Sequence, residues 1–192
     1  MTSRFKVITG FMFAFFLVSS PAGIIDTANA EEKKMSVLDY YLALPDEYFY
    51  CETKPSISKS FKEKQIKKKN LRNGYILSGS EGYPMEVALF TDSYLMLDII
   101  AVNIKCGEGC MCNKFAILSY SGNGRWSDMT ANVFPKQEDI EKALKNKGAA
   151  YEYVLPEVGT TIRVVDSASK KQLLEIYFSG GYFLIKEGPA RK

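Results

Sequence analysis

The sequence predicts an α+β fold. It is mainly antiparallel sheet, with room for the sheet to curl, plus a short N-terminal helix and one helix near residues 135–147. Three observations carry this expectation. From residue 73 onward, short runs rich in Ile, Val, Leu and aromatics recur, each broken by Gly, Asp, Ser or Asn. The breaks at "SYSGNGRW" (119–126) and "SGG" (179–181) suit tight hairpins, and strands joined by tight turns pair antiparallel because parallel pairing needs long crossovers. Two stretches, one before the strands and one among them, carry apolar residues at helical spacing.

The elements follow in order. Arg4 and Lys6 form a basic start, "VITGFMFAFFLV" (7–18) is apolar, and Ala28-Asn29-Ala30 offers a small-residue cleavage site. Together these predict a secretory signal peptide over residues 1–30, with a second possible site after Ala22. The uncharged stretch between Lys6 and Asp26 approaches the ~20 residues that span a bilayer. Ser19, Ser20, Pro21 and Gly23 interrupt it, which favours cleavage over anchoring. No cysteine stands at the expected mature start to take a lipid, and no later run is long enough to span a membrane. Residues 31–192 are expected to form a single α+β domain, a length that supports a real hydrophobic core.

In "MSVLDYYLALPDEYFY", Ser36 and Asp39 have the spacing of a capping box. Val37, Leu38, Tyr41 and Leu42 give a helical face, and Pro45 stops the helix. "SKSFKEKQIKKKN" (58–70) is basic and poor in apolar anchors, so a loop or short solvated helix is expected. Strands are expected in "NGYILS", "PMEVALF", "YLMLDIIAVNI", "KFAILSY", "YEYVL", "TIRVV", "KQLLEIYF" and "YFLIK". "FPKQEDIEKALKNKG" reads as the clearest helix. Pro135 suits its first turn, Glu138 and Asp139 complement the positive end of its dipole, and Lys145 and Lys147 the negative end. Gly148 can close it, and Ile140, Ala143 and Leu144 supply its buried stripe.

Composition and residue types exclude several functions. The chain has 25 basic and 22 acidic residues, a net +3; without Arg4, Lys6 and Asp26 of the leader the balance is +2. So small an excess argues neither for nucleic acid nor for an anionic surface, and no nucleic-acid partner is expected. The 192 residues include no histidine. That removes Ser-His-Asp and Cys-His catalysis, histidine bases and every zinc site needing an imidazole. Asp46-Glu47 and Glu138-Asp139 are the acid pairs a carboxylate mechanism would use, but both sit where turns and helix starts favour acids. Gly79-x-x-Gly82 lies between strand-like runs and reads as a turn, not a phosphate loop. The aromatics of "YFYC" (48–51), with Tyr75, Tyr83 and Trp126, are expected to pack rather than to recognise a ligand. No catalytic, cofactor-binding or metal-ligating residue is nominated.

Cys51, Cys106, Cys110 and Cys112 are an even set in a chain expected to leave the cytoplasm, which predicts two disulfides. Bridging Cys110 to Cys112 would need a very tight ring against the usual ~5.5 Å between bridged Cα atoms. The preferred scheme links Cys106 to Cys110 or Cys112 and ties Cys51 to the remaining thiol. The long closure would contribute ~3–4.5 kcal/mol before strain. A four-thiolate metal site and a redox centre are the competitors, but the spacing is neither paired C-x-x-C…C-x-x-C nor a single C-x-x-C.

Leu44-Pro45 with Tyr48-Phe49, Asn73-Gly74-Tyr75, "EVALF" (86–90) and the Cys106/Cys110 pair form a recurring set of signatures. Gly124-Arg125-Trp126, Asp128-Met129-Thr130, and Leu155-Pro156 with Gly159-Thr160-Thr161-Ile162 complete it. On these residues the chain resembles a group of small exported bacterial proteins of uncharacterised function. The signatures concern turns and packing, so the resemblance brings no activity with it.

The function expected is a soluble exported protein, in the periplasm or the medium, that binds a protein or cell-envelope component without catalysis. One form would be an inhibitor of a wall-degrading or digestive enzyme. The alternative is a carboxylate-based hydrolase of envelope polymers. Thiol titration with intact-mass measurement on the exported protein is expected to find no free thiol and a chain beginning at Glu31 or Gly23. Four free thiols, or bound zinc, would remove the disulfide reading.

Overall fold

A computed structural model describes residues 34–49, 56–79, 83–92, 96–105, 114–121, 123–144 and 150–186. The expected leader with Ala28 and Ala30, the four cysteines Cys51, Cys106, Cys110 and Cys112, and the expected end of the second helix at Lys145, Lys147 and Gly148 lie outside the described residues. The fold class is the expected one: α+β, mainly antiparallel, in two open sheets.

The N-terminal helix α1 (Val37–Ala43) begins on the expected reciprocal cap. Ser36 Oγ accepts the Asp39 N–H at 3.3 Å, while Asp39 Oδ2 accepts the Ser36 N–H at 2.8 Å. Leu44 turns extended (ψ 141°) ahead of Pro45, which ends the helix. A 3₁₀ turn (Asp46–Tyr48) follows. The basic stretch then forms α2 (Lys59–Lys64), capped by Ser58, and continues into a short strand, β1 (Lys68–Asn70), that its composition did not suggest.

From there the chain runs back and forth. β2 (Tyr75–Ser78), β3 (Met85–Asp92), β4 (Leu97–Ile104), β5 (Lys114–Ser121) and β6 (Arg125–Asp128) complete a six-stranded sheet in sequential order. Two helices follow: α3 (Thr130–Val133) and α4 (Gln137–Leu144). The predicted helix therefore starts two residues later than Pro135; the Lys136 carbonyl accepts the Asp139 and Ile140 N–H groups, which places Lys136 at the cap. A second sheet is built from β7 (Tyr151–Val154), β8 (Thr161–Asp166), β9 (Gln172–Ser179) and β10 (Tyr182–Ile185), again in sequential order. Gly180 and Gly181, at φ 59° and 81°, form the last hairpin turn, where both central residues need positive φ.

The register explains why β3, β4 and β5 read as nearly unbroken apolar runs. Val87 faces Val102 and Ala116, and these join Ile76, Ile100 and Leu118 on the face covered by Val37, Tyr40, Tyr41 and Leu44 of the α1 segment. Ala88 faces Ala101 and Ile117 on the opposite face, which packs against the second sheet through Ile162, Val164, Ile176 and Phe178. The helical face thus differs in part from the expected one: Tyr40 is buried, while Leu38 and Leu42 are only partly so. Phe90 reaches across the layers, its ring centroid 4.9 Å from Phe183 and 5.5 Å from Phe178. Each such buried side chain contributes about 1.5–3 kcal/mol of burial free energy. Among the described residues no helix is long and apolar enough to cross a membrane.

One lysine organises the approach to this core. Lys62, on α2, is only 5% exposed. Its Nζ donates to the Leu44 carbonyl at 2.6 Å and the Leu42 carbonyl at 3.3 Å, and pairs with Asp46 at 3.1 Å. It therefore takes up carbonyls left unpaired where α1 ends. The Tyr41 hydroxyl donates back to the Lys62 carbonyl at 2.8 Å. The Ile57 N–H, at 2.9 Å, and then Lys62 hold the Asp46 carboxyl below its ordinary pKa. A carboxyl so depressed stabilises the fold at neutral pH, and the contribution is lost as pH falls through the lowered value. Lys62→Met, which keeps the stem and removes the charge, is expected to cost roughly 2–4 kcal/mol in chemical denaturation. Asp46→Asn should cost less and flatten the fall in stability on acidification. A Lys62→Met loss below about 0.5 kcal/mol, as at an ordinary surface site, would contradict this role.

Candidate functional site

The acids singled out in the sequence are held apart in local structure. Asp46 is engaged by Ile57 and Lys62, and Glu47 pairs with Lys114 at 3.6 Å on the surface. Glu138 and Asp139 lie in the first turn of α4, with Asp139 3.4 Å from Lys142. Neither pair lines the cleft described below. Tyr48 and Tyr75 are buried and Trp126 is partly so, its Nε1–H donating to the Ala43 carbonyl at 3.0 Å. Tyr48 and Trp126 thus pack as expected, while Tyr75 also lines the cleft described below. Among the described residues no group of three or more His, Cys, Asp or Glu is placed to hold a metal ion.

The residues that do converge are different ones. A cleft of about 380 Å³ opens where the first sheet meets the loop between β7 and β8. Tyr75 and Glu86 of the first sheet line it, with the loop residues Pro156 and Glu157 and with Thr161, Arg163 and Glu175 of the second sheet. Glu86, 8% exposed, is the buried charge here. The register places it opposite Asn103 on the face that meets the second sheet. Its Oε2 accepts from Asn103 Nδ2 at 2.8 Å and from the Leu155 N–H at 3.4 Å, and its Oε1 accepts from the Tyr75 hydroxyl at 3.2 Å. Asn103 Nδ2 also donates to the Tyr153 carbonyl at 2.7 Å. The Glu86–Asn103 pair is therefore a polar tie between the first sheet and β7. Burial, then the Glu86 charge and its hydrogen bond, push the Tyr75 phenol well up, so it stays a donor throughout the neutral range.

The other two acids of the cleft are also engaged. Glu157 Oε2 lies 2.7 Å from Lys68, at the edge strand β1. Glu175 takes Lys186 on Oε2 at 2.7 Å and Gln172 on Oε1 at 3.0 Å. These two donors, Lys186 first, hold its carboxyl below the ordinary range, which makes it a poor proton donor near neutral pH. Arg163 is exposed, faces Glu175 across β8 and β9, and has no ion-pair or hydrogen-bond partner for its guanidinium among the described residues.

The cleft continues onto an open face. Thr161 lies opposite Tyr177, and Tyr177 lies opposite Leu184. Alternation turns Ile176, Phe178 and Phe183 into the core and leaves Tyr177 (36% exposed), Leu184 (44%) and Tyr182 (57%) facing outward. None of these three residues is among those singled out from the sequence. Their signal was present in "EIYF" and "YFLI", where both faces of the hairpin are apolar, but a sequence does not say which face is covered.

No protein-family model, curated protein or solved structure matches this chain. The Glu86–Asn103 tie makes a direct prediction. Asn103→Ala is expected to lower stability by about 1–3 kcal/mol, because it strips donors from a buried carboxylate and from the Tyr153 carbonyl. A double-mutant cycle with Glu86→Gln should show the two losses to be non-additive. Additive losses in denaturant titration would mean that the two side chains act independently.

Proposed function

We propose that this chain is an exported, non-catalytic binding module that engages a cell-envelope component through the cleft and the adjoining tyrosine face. One observation supports the reading above the others. Tyr177, Tyr182 and Leu184 stand exposed on one face of a sheet whose opposite face is packed, beside a cleft holding an uncommitted arginine. Exposed aromatics with a polar fringe are what a recognition surface needs: large contact area at small cost in side-chain entropy.

The second reading, a carboxylate-based hydrolase of envelope polymers, is favoured by the presence of Glu86, Glu157 and Glu175 around the same cleft. The committed partners of each count against it. Glu86 is held by three donors, and Glu175 is kept ionised by Lys186 and Gln172. A glycosidase needs one acid that keeps its proton at working pH.

Immobilised protein challenged with solubilised envelope is expected to retain a discrete component. A Tyr177→Ala/Tyr182→Ala variant with an unchanged melting temperature should lose it. Equal retention by the variant would place binding elsewhere on the molecule, and release of shortened polymer by the native chain but not by Glu86→Gln would favour the hydrolase.

A further inference from the structure

Resting on that reading, we infer that the ligand is a carboxylated saccharide: its carboxylate is held by Arg163 and Thr161, and a sugar face lies on Tyr177. Charge gives the first reason. Every acid lining the cleft has a partner, and Lys68 and Lys186 neutralise two of the three. Glu175, directly opposite Arg163 in register, takes Gln172 and Lys186 on its two oxygens and makes no ion pair with Arg163. Arg163 is therefore an available guanidinium whose planar fork matches a carboxylate bidentately. A single arginine balances one negative charge. A dianionic phosphate would leave excess negative charge in a cleft where Glu86 already has only neutral donors, so the carboxylate is the better match.

Geometry gives the second reason. Residues 161 and 163 are two apart on β8, so they share a face, and the Thr161 side chain has no hydrogen-bond partner among the described residues. Tyr177 is directly opposite Thr161 and diagonal to Arg163, a separation of about 7–8 Å between Cα atoms. A monosaccharide ring bearing a carboxylate bridges that distance, with the ring on the phenol and the acid at the guanidinium. Tyr182, exposed on the same outer face and diagonal to Tyr177, extends the surface for a second residue of a chain. The exposed phenols suit the broad side of a sugar, since tyrosine joins an apolar ring to a polar tip.

The test is a titration of the ¹⁵N-labelled protein as purified from its full-length expression, followed by amide shifts. The probes are oligogalacturonate, oligomannuronate, N-acetylmuramic acid, the carboxyl-reduced oligogalacturonate, and an N-acetylated tripeptide with a free C-terminus. At least one carboxylated saccharide is expected to shift Thr161, Arg163 and Tyr177, with the reduced oligomer much weaker. Arg163→Gln should weaken that binding about tenfold or more, and Arg163→Lys should restore part of it, since lysine supplies the charge without the fork. Tyr177→Ala should weaken it several-fold while leaving the melting temperature in place. No shift with any of the three carboxylated saccharides overturns the inference, as does equal binding of the reduced oligomer, or binding of the peptide alone. If envelope retention still depends on Tyr177 and Tyr182 in that case, the binding-module reading survives and only the ligand class falls.

Discussion

The burial of β3, β4 and β5 on both faces is the constraint from which the rest of the molecule follows. A sheet whose central strands carry Val87, Ile100, Val102 and Leu118 on one side and Phe90, Ile99 and Ile117 on the other is unstable with either face in water. One face is closed by α1 and its flanking turns. The other is closed by the second sheet, with α3 and α4 adding Val133, Phe134 and Ile140. Once the first sheet has used one side of the second, the other side of β8, β9 and β10 has no covering element among the described residues. Tyr177, Tyr182 and Leu184 are exposed for that reason, and the candidate binding surface is what remains when the core is complete.

Polar groups hold the layers in their places. Lys62 answers carbonyls at the end of α1 and fixes that helix against α2. Glu86 and Asn103 sit at the opposite boundary, where the first sheet meets β7, and fix the mouth of the cleft. A buried charge is tolerated in each place because its partners are complete; removing one partner leaves an unsatisfied group whose cost exceeds the value of the bond. Arg163 differs from both, since its guanidinium satisfies nothing inside the described fold. A side chain with that freedom, beside a concave surface, is available to a ligand without dismantling any of the molecule's own contacts.

Much of this architecture was legible in the sequence. Ser36, Asp39 and Pro45 announced the limits of α1, and Ser179-Gly180-Gly181 announced the last hairpin, because capping and turn chemistry are local. The apolar runs of β3 to β5 were recognisable as strands for the same reason. β1 was not, since Lys68 and Lys69 owe their strand conformation to pairing with Leu77 and Ile76, and charged residues suit an edge. β6 was hidden by its brevity and by the turn that precedes it. The division into two sheets depends on which strands neighbour each other in space, and composition does not encode that. The cleft was less legible still. Tyr75, Glu86 and Arg163 are separated by many residues in the chain, and only the three-layer arrangement brings them to one place. The acid pairs adjacent in sequence were visible and turned out to be a partner of the buried Lys62, first-turn acids of α4 and surface ion pairs.

Native-state hydrogen exchange tests the central constraint most directly. If the doubly covered sheet governs stability, the amides of Val87–Phe90, Ile99–Val102 and Ala116–Leu118 will be the slowest to exchange and will open only with global unfolding, while β9 and β10, open to solvent on one face, exchange through smaller openings. Slowest exchange in β9 and β10, with β3 to β5 opening first, would contradict the account.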